Sequence, residues 1–319
     1  MGEFDLIDRY FKRPACQADV GIGDDCAIWT PRAGHQLAIS TDMLVEGRHF
    51  LSTVDPVRLG HKSLAVNLSD LAACGAAPKV FLLSLALPRL DATWLDGFSR
   101  GLFALADAHG IELIGGDTTQ GPLNISITVM GEVPAGQGIL RSGAQSGDDL
   151  YVSGYLGDAR LALEAFRGNI SLPQTVLDAA RLRMETPSPR VTLGQSLRGI
   201  ATAMADISDG LLGDLGHILR ASRVGADIDW PACQALLAAA QSWSCPAALS
   251  MTCILSGGDD YELVFTAPPS ARDSVMQVAS QSGTAVTRIG CITSDSLVNV
   301  LDAHGQPITH GLRSFDHFA

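Results

Sequence analysis

Five apolar segments of this chain end in carboxylates: Ile22-Gly23-Asp24-Asp25, Ile39-Ser40-Thr41-Asp42, Leu68-Ser69-Asp70, Ile114-Gly115-Gly116-Asp117 and Asp206-Ile207-Ser208-Asp209. Stiff elements therefore carry acids to the points where those elements stop. Acids on a solvated helix face would instead lie among lysines. Carboxylates gathered at element ends repel one another unless a cation joins them, and hard divalent ions take oxygen ligands. The pattern predicts a Mg2+ and phosphate site on a chain of strands and helices.

Length and charge narrow the class. A chain of 319 residues suggests two domains. Aromatics are only 6% of residues while small and aliphatic ones dominate, as in α/β proteins. A net charge of −12 argues against nucleic acid or an acidic membrane as partner. A nucleotide remains possible where metal ions screen its phosphates. Seven cysteines without C-x-x-C spacing fit neither a disulfide framework nor a zinc site. They read as reduced thiols of a cytoplasmic protein. Met1-Gly2-Glu3-Phe4-Asp5 does not read as a signal peptide, and apolar runs such as Val80–Leu87 are too short to span a bilayer.

Periodicity predicts a short helix over 3–11, strands over 26–29 and 36–40, and a helix from Asp55-Pro56 to about Cys74, closed by Gly75 and Pro78. On that helix Leu64, Leu68 and Leu71 form an apolar stripe, while Ser63, Asn67 and Asp70 fall on another face. Further strands are expected over 80–87, 111–114 and 123–129, with a helix over 92–109 between the first two. The Gly-, Ala- and Ser-rich stretch 134–147 marks the boundary between domains over 1–137 and 138–319. Beyond it come strands over 150–153, 203–207, 261–266, 285–289 and 297–301. Helices are expected near 158–166 and 176–185, just before 203, and from Ser208-Asp209-Gly210 to Ser222.

Each acidic site has an ordinary alternative. Asp24-Asp25 fits an Asx turn as well as a ligand position. Ser40 and Asp42 share a strand face with Thr41 between them, and these oxygens can cluster around an ion. Asp70, deep in an Ala/Leu helix, needs a partner of some kind. Gly115 and Gly116 before Asp117 suit either a tight turn or close approach of phosphate. Asp209 is a plausible helix cap, although Asp206 three residues earlier adds a second acid. His49 and Arg48, like Arg141, suit surface positions or contacts to an anion. Gly60-His61-Lys62-Ser63 lacks the glycine next to lysine, which excludes a P-loop.

With these residues in view, the chain resembles the thiamine-monophosphate kinase family. The resemblance rests on Gly21–Ala27, Ser40–Phe50, Ala65–Ala73, Gly115–Thr119, Asp206–Leu211 and Ser256-Gly257-Gly258-Asp259-Asp260-Tyr261-Glu262-Leu263, in that order. It implies an α/β (α+β) two-domain fold like aminoimidazole ribonucleotide synthetase. In that fold the N-terminal sheet domain pairs across a homodimer and the C-terminal domain is α/β. It implies ATP as co-substrate, thiamine monophosphate as acceptor and several Mg2+ ions per site. It implies Asp25, Ser40, Thr41, Asp42, Asp70, Asp117, Asp206 and Asp209 as metal ligands. Gly116, Asp117, Arg141 and Ser208 would contact ATP, and His49, Asp259 and Phe315 the acceptor. The family more often has Glu where Asp259 stands, and Tyr or Trp just ahead of the Asp-His-Phe that here follows Phe315.

Overall fold

The computed structural model describes residues 2–308 and 311. Its contacts divide the chain into two units. One holds the chain up to Leu71 together with Ala76–Gly136; the other holds Ala72–Gly75 and the chain from Gln137 on.

The first unit is built from α1 (Glu3–Tyr10), β1 (His35–Val45), α2 (Pro56–Ala73), β2 (Ala77–Leu87), α3 (Ala92–His109), β3 (Glu112–Gln120) and β4 (Asn124–Pro134). The strands form one sheet in the order β1-β4-β2-β3. Only β2 and β3 are parallel neighbours; β1 and β2 each run antiparallel to β4. Alternation along β4 buries Ile125, Ile127 and Val129 and leaves Ser126, Thr128 and Met130 half-buried on the other face. Leu64, Leu68 and Leu71 of α2 are fully buried, so the apolar stripe supplies the helix's packing face. Asp91 caps α3 by accepting the Thr93 and Trp94 amides at 3.1 Å, and Gly110 ends it in the left-handed region.

The glycines at 115 and 116 do not end their strand. β3 runs through them to Gln120. The reason is steric: a Cβ on Gly116 would lie 1.8 Å from the Leu83 carbonyl oxygen, and its φ is +147°. Likewise β1 continues past Asp42 to Val45, so Ser40, Thr41 and Asp42 are mid-strand rather than terminal. The strand expected over 26–29 is reduced to an isolated pairing of Val20 with Ile28.

The second unit runs β5 (Asp149–Ser153), α4 (Asp158–Phe166), α5 (Gln174–Glu185), α6 (Val191–Ser196), β6 (Ala203–Ile207), α7 (Leu211–Ser222), β7 (Gly225–Asp229), α8 (Trp230–Gln234), α9 (Ala247–Ser256), β8 (Glu262–Ala267), α10 (Arg272–Ser282), β9 (Val286–Thr293) and β10 (Val298–Leu301). Its sheet has the order β10-β7-β9-β5-β8-β6. Every residue of β5, β6 and β8 is buried, as expected of strands covered on both faces. Buried Asp149 accepts from Arg272 at 2.6 and 2.8 Å and from Arg288 at 2.5 Å. Hydrogen bonds from Arg272, joined by those from Arg288, outweigh burial and hold Asp149 down at about 2. Among the described residues no helix is long and apolar enough to cross a membrane.

Candidate functional site

In the first unit, β1 and α2 bring three of the expected residues together. Ser40 Oγ donates to Asp70 Oδ2 at 2.5 Å. The Asp42 amide donates to Asn67 Oδ1 at 3.0 Å, and Asn67 Nδ2 donates back to the Ser63 carbonyl one turn earlier. Asn67 and Asp70 of the polar stripe of α2 therefore meet β1, while the Ser63 hydroxyl donates back to the Leu59 carbonyl of its own helix. Asn67 is fixed from both ends and positions Asp42, a role its place in that stripe could have signalled.

Thr41 does not join that cluster. Side chains alternate along a strand, and the Thr41 hydroxyl instead donates to the Ile127 carbonyl at 3.1 Å and accepts from Thr128 Oγ1 at 3.0 Å. Of the three residues expected to cluster, Ser40 reaches Asp70 through its side chain and Asp42 reaches α2 through its amide, while Thr41 turns to β4. Asp117 sits on β3, the edge of the sheet opposite β1. Three strand spacings make that about 14 Å, so within one chain Asp42 and Asp117 cannot share an ion. Asp117 pairs with Ser84 and is exposed. Asp25 is exposed in the segment before β1.

His49 lies in the turn that follows β1. Its own amide donates to the Val45 carbonyl at 3.0 Å, and its Nδ1 accepts from the Val45 amide at 3.0 Å. An accepting Nδ1 leaves Nε2 as the protonated nitrogen of the neutral ring.

In the second unit the turn after β6 packs against the loop before β8. The Asp259 amide donates to the Ser208 carbonyl, and the Tyr261 amide to the Ile207 carbonyl, both at 2.8 Å. A Cβ on Gly258 would lie 2.3 Å from the Ser208 oxygen, so only glycine permits this contact. Asp259 and Tyr261 both adopt positive φ, at 73° and 53°. Such backbone costs about 1 kcal/mol or more per residue and persists only where surroundings enforce it, often at functional loops. Between them Asp260 accepts the Gly157 amide through both oxygens at 3.0 Å. Burial pushes the Asp260 carboxyl well above the usual range, and Asp158, Glu262 and Asp259 add to the push. Glu262 in turn binds Ser153 Oγ and Arg190 Nε, each at 2.6 Å, which anchors the loop to β5 and to the start of α6.

Asp206 is buried on β6, and Ser208 and Asp209 are half-buried in the turn beyond it. Their amides are held by a residue outside the expected set, Asp214 of α7. Burial pushes Asp214 up to about 6 against the pull of those amides. Arg141 is exposed and near enough to affect both Asp214 and His217; burial and the Arg141 and Arg220 guanidiniums lower His217. Phe315 lies outside the described residues.

The candidate ligands are all oxygen donors, the chemistry that a hard cation such as Mg2+ takes. Among the described residues no three His, Cys, Asp or Glu side chains group closely enough to hold a metal.

Comparison with known proteins places this arrangement in a class. Residues 23–133 match the N-terminal domain model of AIR synthase related proteins, and residues 145–302 match its C-terminal domain model. A thiamine-monophosphate kinase of Salmonella typhimurium is 44% identical over all of this chain and 98% of its own length. The crystal structure of the thiamine-monophosphate kinase from Stenotrophomonas maltophilia K279a is 43% identical, with a TM-score of 0.86 over 97% of this chain and 98% of that one. A structure of AaThiL complexed with AMPPCP and TMP is 27% identical, with a TM-score of 0.75 over 99% of this chain and 97% of that one. The chain belongs to the thiamine-monophosphate kinase family, within the AIR synthase related proteins.

Proposed function

We propose that this chain transfers the γ-phosphoryl group of ATP to the phosphate of thiamine monophosphate, giving ADP and thiamine diphosphate. The observation that carries the reading is the full-length match to a kinase of that name at 44% identity. The AaThiL complex with AMPPCP and TMP supports the choice of both substrates.

Two anions must approach each other in this reaction, so positioning and charge neutralisation are the main tasks. Asp25, Ser40, Asp42, Asp70, Asp117, Asp206 and Asp209 are read as side-chain ligands for several Mg2+ ions. Thr41 is read as a further ligand, although its hydroxyl donates to the Ile127 carbonyl and accepts from Thr128. Bound Mg2+ would screen the phosphate oxygens of donor and acceptor. Gly116, Asp117, Arg141 and Ser208 are read as ATP contacts, the exposed Arg141 guanidinium suiting a bidentate hold on phosphate. His49, Asp259 and Phe315 are read as acceptor contacts, with the His49 ring held by the Val45 amide. A phosphate monoester with a second pKa of about 6 is already largely ionised near neutral pH, so no strong base is required. Transfer is read as direct and in line, without a phosphoenzyme.

The reading extends to a cytoplasmic homodimer. The domain over 1–137 is read as the N-terminal metal- and nucleotide-binding and dimerisation domain, and that over 138–319 as the C-terminal α/β domain, which adds Arg141, Asp206, Ser208 and Asp209. β1 is an edge strand of 11 residues with Leu37, Ile39 and Met43 exposed, which favours pairing with a second copy. Rapid-quench turnover of γ-labelled ATP tests the mechanism. Label passing straight into thiamine diphosphate is expected, and labelled protein on the path would overturn direct transfer.

A further inference from the structure

The turn from Ile207 to Gly210 lies between β6 and α7, so its backbone groups must find partners outside a ladder. Its carbonyls find them in the loop before β8: Ile207 accepts from Tyr261 and Ser208 from Asp259. Two of its amides find theirs in one atom. The N–H groups of Ser208 and Asp209 both donate to Asp214 Oδ2 at 3.0 Å. Asp214 is 4% exposed and sits in the first turn of α7. Two successive amides at the mouth of a helix ordinarily attract an external anion. Here a carboxylate of the same chain already fills that place. The turn therefore offers incoming groups its side chains, which are acidic or hydroxylic and suit cations.

We propose that Asp214 is a positioning residue for phosphoryl transfer: by occupying the Ser208 and Asp209 amides it sets where the Ser208 hydroxyl and Asp209 carboxylate stand, and it keeps phosphate off the turn's backbone. This inference rests on the phosphotransfer reading above. Asp214 is buried beneath the turn and acts through Ser208 and Asp209. The Ser208 peptide groups also link it to Asp259, because the residue held at its amide by Asp214 is held at its carbonyl by Asp259.

The test compares Asp214→Leu, which removes the acceptor, with Asp214→Asn, which keeps an acceptor oxygen of the same reach. Residue-resolved amide exchange and steady-state kinetics are measured on the full chain. The parent is expected to protect the Ser208 and Asp209 amides. Asp214→Leu is expected to lose protection at those two amides while β6 keeps its own. Its kcat should fall, and its Mg2+ requirement rise, by about 10- to 100-fold, the usual effect of losing a residue that orients a ligand. Asp214→Asn should recover part of both. A folded Asp214→Leu that keeps kcat and Mg2+ requirement at parental values overturns the proposal. Should the leucine variant not fold, the parent decides: unprotected Ser208 and Asp209 amides overturn the proposal, and protected ones together with a partly active Asp214→Asn support it. A parent that forms no thiamine diphosphate marks failure of the functional reading itself, a result the exchange pattern cannot mimic.

Discussion

Ser40 Oγ donates to Asp70 Oδ2 across 2.5 Å, so an edge strand and a helix meet through one hydroxyl and one carboxylate. Two residues along, the Asp42 amide rests on Asn67 of the same helix. These bonds join the candidate residues before any ligand arrives, and they allow packing to be separated from chemistry.

Asp70→Asn keeps an acceptor for Ser40 but removes a charge. Its unfolding midpoint in urea should stay close to that of the parent, while kcat falls about 100-fold, the scale of losing one preorganised electrostatic group. Parental turnover in this variant would remove Asp70 from the ligand set.

Asn67→Leu separates the two roles the other way. It leaves the Asp42 amide and the Ser63 carbonyl without their side-chain partner. A loss of about 1–3 kcal/mol is expected from urea unfolding, the cost of leaving a buried polar group unsatisfied. An unchanged midpoint would show that water replaces Asn67 at no cost.

Asp149 links acidity to stability. Its carboxyl sits at about 2 when folded, below its ordinary value of 3.8, because Arg272 and Arg288 bind the charged form. A depressed folded pKa contributes stability that is fully present above the ordinary value and is lost as pH falls through the folded one. Parent and Asp149→Asn should therefore differ most above pH 4, and the gap should close between about pH 4 and pH 2. A gap constant down to pH 2 would contradict the ion-pair account.

Thiol reactivity should divide by burial. Cys16, Cys26 and Cys74 are exposed, whereas burial pushes Cys233 and Cys253 up to about 12. Because thiolate is the reactive form, a maleimide at pH 7.5 (about neutral, where free thiols are partly ionised) should label the exposed group in the native protein. Cys233 and Cys253 should label only after denaturation, as peptide mapping by mass spectrometry would reveal.

The edge strand predicts the oligomer. Ile39 is 62% exposed on β1 beside Leu37 and Met43. Ile39→Glu should shift sedimentation from dimer to monomer without unfolding the sheet, since a charge on an open edge blocks pairing. A parent that sediments as a monomer would end the dimer reading.

Much of this architecture was legible where periodicity was strong. The helix expected over 92–109 is α3, and Asn67 and Asp70 of the polar stripe proved to meet β1. Local signals failed where tertiary packing decided. Gly115 and Gly116 suggest a turn, but contact with Leu83 keeps them in a strand. β7 reads Gly-Ala-Asp-Ile-Asp and is too short and polar to announce itself, yet it is held between β9 and β10. Helix α10 carries little apolar periodicity and buries only Val275 and Ala279. Asp214 looks like an ordinary acid in a first helical turn; only the fold shows that its carboxylate reaches back to Ser208 and Asp209. Its spacing of five residues from Asp209, across Gly210 and Gly213, was the available clue.

ATP turnover with Mg2+, measured with and without thiamine monophosphate and resolving thiamine diphosphate from free phosphate, tests the central claim most directly. The account predicts thiamine diphosphate and ADP in equal amounts, dependent on the acceptor. ATP consumption that yields free phosphate regardless of acceptor would contradict it.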